Sequence, residues 1–101
     1  MITIKKRENQ ITVTGHALYN PGNDIVCAAI SILTYNLYNS LNNLTWNSAP
    51  SVSLKDDGNT LILAFEHIED NDTNLLIQSY ILGCKAVAEE YPDHVKVCIE
   101  N

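Results

Sequence analysis

The sequence predicts an α+β domain of two layers, a mostly antiparallel sheet with two helices on one face, in the order β-β-α-β-β-α-β. Three observations carry the prediction. Short runs alternate apolar and polar residues with the period of a strand. Two longer runs repeat their apolar residues with the period of a helix. Turn residues separate the runs, and no Pro/Gly/Ser-rich linker interrupts them, so residues 1–101 read as one domain.

The elements follow in order. Ile2 and Ile4 alternate with Thr3 and Lys5 in residues 1–6, and Ile11 and Val13 alternate with Thr12 and Thr14 in residues 10–16. Gly15 ends that alternation, and Asn20, Pro21, Gly22 and Asn23 make a loop. Asn23 or Asp24 caps a helix, because a short polar side chain accepts from the free amides of a first turn. Val26, Ala29, Ile30, Leu33, Leu37 and Leu41 form its core stripe, with Cys27, Ser31, Thr34 and Tyr38 on a neighbouring stripe. The helix should fade near Asn42 and Asn43. Val52 and Leu54, a turn at Asp57-Gly58, then Leu61, Leu63 and Phe65 read as a hairpin. Asn71, Asp72, Thr73 or Asn74 caps a second helix, whose apolar positions include Leu76, Ile77, Tyr80, Ile81, Cys84, Val87, Ala88 and Tyr91. Pro92 stops it, and Val95, Val97 and Ile99 form a last short strand.

Composition narrows the function classes. At 46% hydrophobic residues the chain has an ordinary globular balance, and no apolar run approaches the roughly 20 residues that span a bilayer, so no membrane association is expected. The charged start MITIKKRENQ is followed by no apolar segment of a secretory signal. A net charge of −6 disfavours nucleic acid and favours a basic protein partner. The cysteines, Cys27, Cys84 and Cys98, are odd in number and widely spaced, which suits a reducing cytoplasm better than a disulfide framework and gives no zinc signature. No metal and no cofactor are expected.

The stretch GHALYNPGNDIVCAAIS, residues 15–31, carries the chemistry. A cysteine attacks a carbonyl as its thiolate, and the unpaired amides of a helix start favour that form. Cys27 lies in or beside the first turn with either cap. His16 follows a strand, and the loop between them is short enough to bring the two side chains together. An imidazole there takes the thiol proton and returns it to a leaving amine. Backbone amides at the helix start are then expected to receive the oxyanion. Bland alternatives stand beside each residue. A cysteine in a helix is most often a small buried hydrophobe, and a histidine at a strand end is usually a turn residue. Asp24 caps the helix, or it also orients His16 as the third member of such sites does. Ser31, one turn after Cys27, is a neighbour of the site or an ordinary helix serine. Cys84 and Cys98 are expected to pack, and His67 and His94 have no nucleophile nearby in sequence.

Gly15-His16-Ala17, a loop with glycine, and Asp24-Ile25-Val26-Cys27-Ala28-Ala29-x-Ser31 resemble the bacterial ribosomal-processing cysteine protease (Prp) family. The late run Tyr91-Pro92-Asp93-His94-Val95-Lys96-Val97 fits it too. The resemblance implies a small homodimeric, cytoplasmic thiol protease that removes a short N-terminal extension from a large-subunit ribosomal protein. It places the catalytic histidine on His16, the nucleophile on Cys27, and supporting roles on Asp24 and Ser31. It also implies a substrate-binding loop, here containing Leu18, Tyr19 and Gly22, that orders over the site. This chain departs from the family in that loop. Gly22 is the only glycine between His16 and Cys27, which makes the loop stiffer than expected. Two other readings remain open: a phage or mobile-element relative trimming a capsid or scaffold protein, and a non-catalytic dimeric module that holds a basic ribosomal protein.

Overall fold

The computed structural model describes residues 1–20, 22, 24–47 and 51–100. The elements run β1 (Ile2–Lys6), β2 (Gln10–Thr14), α1 (Ile25–Leu44), β3 (Val52–Asp56), β4 (Thr60–Phe65), α2 (Asn71–Glu90) and β5 (Val95–Ile99). The five strands form one sheet in the order β3-β4-β2-β1-β5. All neighbours are antiparallel except β1 and β5, which run parallel with Ile4 opposite Val97. The α+β, two-layer architecture and element order expected from the sequence are those observed.

Strand alternation decides which face is covered. Ile2, Ile4, Ile11, Val13, Val52, Leu63, Phe65 and Val95 all point to one side and are buried there. Both helices pack on that side, α1 through Val26, Ile30, Leu37 and Leu41, and α2 through Ile77, Tyr80 and Cys84. The register matters because a slip of one residue in any strand would turn its buried apolar residues to solvent. Thr34 lies in the contact between the helices and is fully buried. Its hydroxyl pairs with Ile30 O at 2.8 Å and Tyr80 Oη at 2.9 Å, so burial leaves neither hydroxyl unpaired. Helical spacing had set Thr34 on the stripe beside the core stripe, with Cys27 and Ser31.

The helix ends differ in detail from the expectation. Asp24 is the cap of α1, accepting from the Val26 and Cys27 amides. The alternative cap, Asn23, and Pro21 of the same loop lie outside the described residues. The helix continues past Asn42 and Asn43 to Leu44, where Thr45 Oγ1 donates to Leu41 O at 2.7 Å and closes the last turn. The cap of α2 is Asp70, not any of residues 71–74: its carboxylate accepts from both Thr73 N (3.1 Å) and Thr73 Oγ1 (2.8 Å). In the polar run that opens α2, only Asp70 has extended backbone preceding helical backbone.

A buried polar chain locks the second half to α1. Asn47, fully buried, donates from Nδ2 to Thr73 Oγ1 at 2.9 Å and accepts Glu66 N at Oδ1, also at 2.9 Å. One side chain thus ties the segment after α1, the end of β4 and the first turn of α2. Asn47→Ala removes both bonds at a buried position and should cost about 1–3 kcal/mol. Urea denaturation should show a lower midpoint with an unchanged m-value.

Candidate active site

The site begins where β2 stops. Gly15 takes φ 86, and a Cβ there would run into the carbonyl oxygen of Met1, so only glycine fits. Its amide donates to Asn59 O at 3.1 Å, extending the pairing of β2 with β4 by one residue past Thr14 and Thr60. His16 therefore leaves the sheet end at a fixed point. Its Nε2–H donates to Asn59 Oδ1 at 3.0 Å.

Asn59 is itself held by the hairpin between β3 and β4. Gly58 takes φ 93, its amide donates to Asp56 Oδ1 at 2.9 Å, and the amides of Asn59 and Thr60 both donate to Asp57 Oδ1, at 3.0 and 2.8 Å. Tyr35 Oη donates to Asp56 Oδ2 at 2.9 Å and ties the hairpin to α1.

Cys27 is the third residue of α1. Asp24 Oδ1 accepts its amide and that of Val26, each at 3.0 Å, while Oδ2 accepts Tyr19 N at 3.0 Å. These bonds hold the Asp24 carboxyl below its ordinary value of 3.8. The Cys27 amide is the largest cause; partial desolvation opposes it, and the amides of Tyr19, Val26 and Asn20 add to it. The half-buried thiol meets the far side of the loop, where Ala17 N donates to Sγ at 3.3 Å. His16, Cys27, Ser31, Tyr35, Asp56 and Asn59 line one cavity of about 140 Å³. So the fold brings His16, Cys27 and Ser31 to one cavity.

The geometry refines three readings. First, the amides of Val26, Cys27 and Ala28 all donate to Asp24, the last to its carbonyl at 3.1 Å, so they are engaged rather than open to an oxyanion. Second, Asp24 caps α1 and pins the loop, while the partner of His16 is Asn59. Third, His94, in the turn before β5, lies against the loop. Its Nδ1 pairs with Ala17 O at 2.8 Å, and the Tyr19 ring meets its ring and that of Tyr91 edge-on, at 5.4 and 5.1 Å. Sequence reasoning missed Asn59 and His94 because neither lies near residues 15–31 in the chain.

The loop residues separate into anchored and open ones. Ala17 is buried, Tyr19 is docked on Tyr91 and His94, and Leu18 between them projects with φ 57 and 67% of its surface exposed. Gly22 is exposed with φ 87. Of the other cysteines, Cys84 is fully buried, and burial pushes its thiol up to about 11. Cys98 is half-buried and pairs with Lys5 across the helix-free side of the sheet, where it adds nothing to the core between helices and sheet.

A thiol at a capped helix start, sharing a cavity with an imidazole, defines the class of thiol-dependent acyl-transfer sites. The comparisons agree with that class. The family model of cysteine protease Prp matches residues 1–96, and the chain belongs to this family of cysteine proteases. It is 24% identical over 88 residues to the ribosomal processing cysteine protease Prp of Staphylococcus aureus strain Mu50, covering 86% of this chain and 82% of that one. It is 28% identical over 103 residues to the protein of the same name from Mycoplasma genitalium, covering 100% and 98%. The crystal structure of S. aureus Prp with a covalently linked product peptide superposes with a TM-score of 0.85 at 23% identity, covering 99% of this chain and 100% of that one, and shares its fold.

Two outcomes follow from this geometry. Iodoacetamide near neutral pH should modify Cys27 first and Cys84 last, read by mapping adducts by mass over time. Equal rates at all three cysteines would remove the argument for a distinctive thiol at residue 27. The second outcome concerns acid. The Asp24 carboxyl is depressed in the folded chain, so the stability it lends is complete above the unfolded value of 3.8 and is lost as pH falls through the lower folded value. The amide resonances of Val26 and Cys27 should shift in that acid range, and the step should vanish in Asp24→Ala.

Proposed function

We propose that this chain is an endopeptidase whose nucleophile is Cys27 and whose acid–base group is His16, and that it removes a short N-terminal extension from a large-subunit ribosomal protein. The observation that carries the assignment is the shared cavity: one imidazole and one thiol, set by separate elements, open onto the same space at the start of α1. The family supplies the reaction class, and the names of the relatives speak of ribosomal processing.

The mechanism follows from the groups present. His16 takes the Cys27 proton, and the sulfur attacks the scissile carbonyl carbon. A C–S bond forms while the carbonyl electron pair moves to oxygen. The tetrahedral species collapses with loss of the amine, which leaves carrying the proton from His16. Water then enters and the same imidazole assists hydrolysis of the acyl-enzyme. Asp24 keeps Cys27 at the helix start, and Ser31 borders the site one turn further on.

The cavity lies between a strand end, a hairpin and a helix start, which suits an extended peptide rather than a folded surface. Exposed Leu18 is placed to cover apolar side chains near the cut, beside docked Tyr19. The net charge of −6 suits a basic substrate. A cytoplasmic setting and a homodimer belong to the same reading, and sedimentation at micromolar concentration tests the latter.

A synthetic peptide spanning the host ribosomal protein's N-terminal extension should be cut once, at the boundary with the mature protein. Cys27→Ala should abolish cleavage while leaving peptide binding largely intact, and His16→Ala should behave alike. Alanine in place of the peptide's apolar residues beside the boundary should slow cleavage roughly tenfold or more. Full activity in Cys27→Ala would end the reading. A peptide bound but left whole by protein with reduced Cys27 would favour a holding module, and cleavage of a capsid-derived peptide instead would favour a phage role.

A further inference from the structure

We propose that Asn59 is the positioning residue of the site: through Oδ1 it fixes His16 as the Nε2–H tautomer and reserves Nδ1 for the exchange of a proton with Cys27. The proposal rests on the reading of His16 and Cys27 as the reacting pair. Its basis is separate from theirs, because Asn59 reaches the site from the β3–β4 hairpin, 43 residues away in the chain.

The chemistry starts from the contact itself. An amide oxygen only accepts hydrogen bonds, so at 3.0 Å the His16 Nε2 must carry the proton that joins it to Asn59 Oδ1. In a neutral imidazole the other nitrogen, Nδ1, then holds the free lone pair. When the Cys27 S–H bond breaks, its electron pair stays on sulfur and the proton forms a bond to Nδ1. The resulting imidazolium keeps its Nε2–H on Asn59, so the contact survives the step unchanged. When the amine leaves, Nδ1 returns the proton to it. A neutral amide does this without adding a charge to the site.

Precision comes from how Asn59 is held. Its carbonyl accepts Gly15 N at 3.1 Å, one residue before His16, and its amide donates to Asp57 Oδ1 at 3.0 Å. The same residue thus fixes where the histidine leaves the sheet and how its ring is turned. Ala17, one residue after His16, donates to Cys27 Sγ at 3.3 Å. The imidazole is therefore bracketed by an anchor to the hairpin on one side and an anchor to the nucleophile on the other. An amide whose backbone is bonded at both ends loses little freedom on holding a ring, which is what a fixed geometry requires.

The test uses the full chain with Asn59→Ala and Asn59→Asp. Both leave the backbone bonds of residue 59 available; Ala removes the acceptor and Asp retains it. Asn59→Ala should lower kcat roughly tenfold to a hundredfold on the extension peptide with KM little changed, and should slow alkylation of Cys27. Asn59→Asp should restore most of kcat. Nitrogen-15 spectra of the imidazole should show His16 as the Nε2–H tautomer in the native chain and in Asn59→Asp, and a mixture in Asn59→Ala. An unchanged tautomer and full kcat in Asn59→Ala, with Cys27→Ala inactive, would overturn the role of Asn59 and leave the protease reading standing. Full activity of Cys27→Ala would instead sink the pair on which the proposal rests.

Discussion

The carboxylate of Asp24 is the constraint on which the loop and the helix start both depend. One oxygen gathers the amides of Val26 and Cys27, and the other gathers that of Tyr19. Satisfying the first turn of α1 is the ordinary work of a cap. Here the second oxygen adds a tether from the preceding loop, so the direction of the helix and the path of the loop are set by one group. The tether, with the burial of Ala17, holds the loop against Cys27. With it, the Ala17 amide meets the sulfur and the Ala17 carbonyl meets His94, and the loop is fastened on both sides of the peptide unit. Leu18 is left between the two anchors in a left-handed conformation that costs a leucine about 1–2 kcal/mol. The anchors on either side hold it there.

The opposite wall of the site obeys a different constraint, the register of the sheet. Thr14 pairs with Thr60, so the next residues, Gly15 and Asn59, face each other beyond the regular ladder. The glycine is demanded by the closeness of the Met1 carbonyl, and Ile2, next in the chain, donates its amide to His94 O at 2.9 Å. The N-terminus, the end of β2, the hairpin and the start of β5 thus converge behind one histidine. A short loop brings Cys27 near, but the sheet decides where the imidazole stands.

This division explains what could be read from the sequence. The elements and their order were legible because each strand buries one side and each helix one stripe, and those periods are local. The nearness of His16, Asp24, Cys27 and Ser31 was legible for a related reason: a strand end, a short loop, a cap and the next helical turn are near neighbours in the chain. Asn59 and His94 were not. Their partners lie 43 and 77 residues away, and they meet only through the pairing of β2 with β4 and of β1 with β5. Had the β2–β4 register been known, the turn at Asp57-Gly58 would have placed Asn59 beside Gly15. The cap of α2 was misplaced because its opening is a run of polar residues with similar capping ability, and backbone shape alone selects Asp70. The full burial of Thr34 was not legible because a threonine reads as polar until Tyr80, 46 residues away, supplies its partner.

The three cysteines show how far position decides chemistry. Cys84 shares the core with Tyr80, and desolvation there raises the acid–base values of both groups, the thiol to about 11. It is chemically a small apolar side chain. Cys98 sits on the helix-free side of the sheet opposite Lys5, half-covered. Cys27 alone stands at a helix start, with an amide aimed at its sulfur and a cavity before it. The apolar floor of that cavity includes Ile2, Val13, Ile30 and Leu61, residues that the core and its margin require in any case. The site therefore adds little to the fold: it occupies the end of a hydrophobic core where the sheet, the hairpin and the helix start leave one side open.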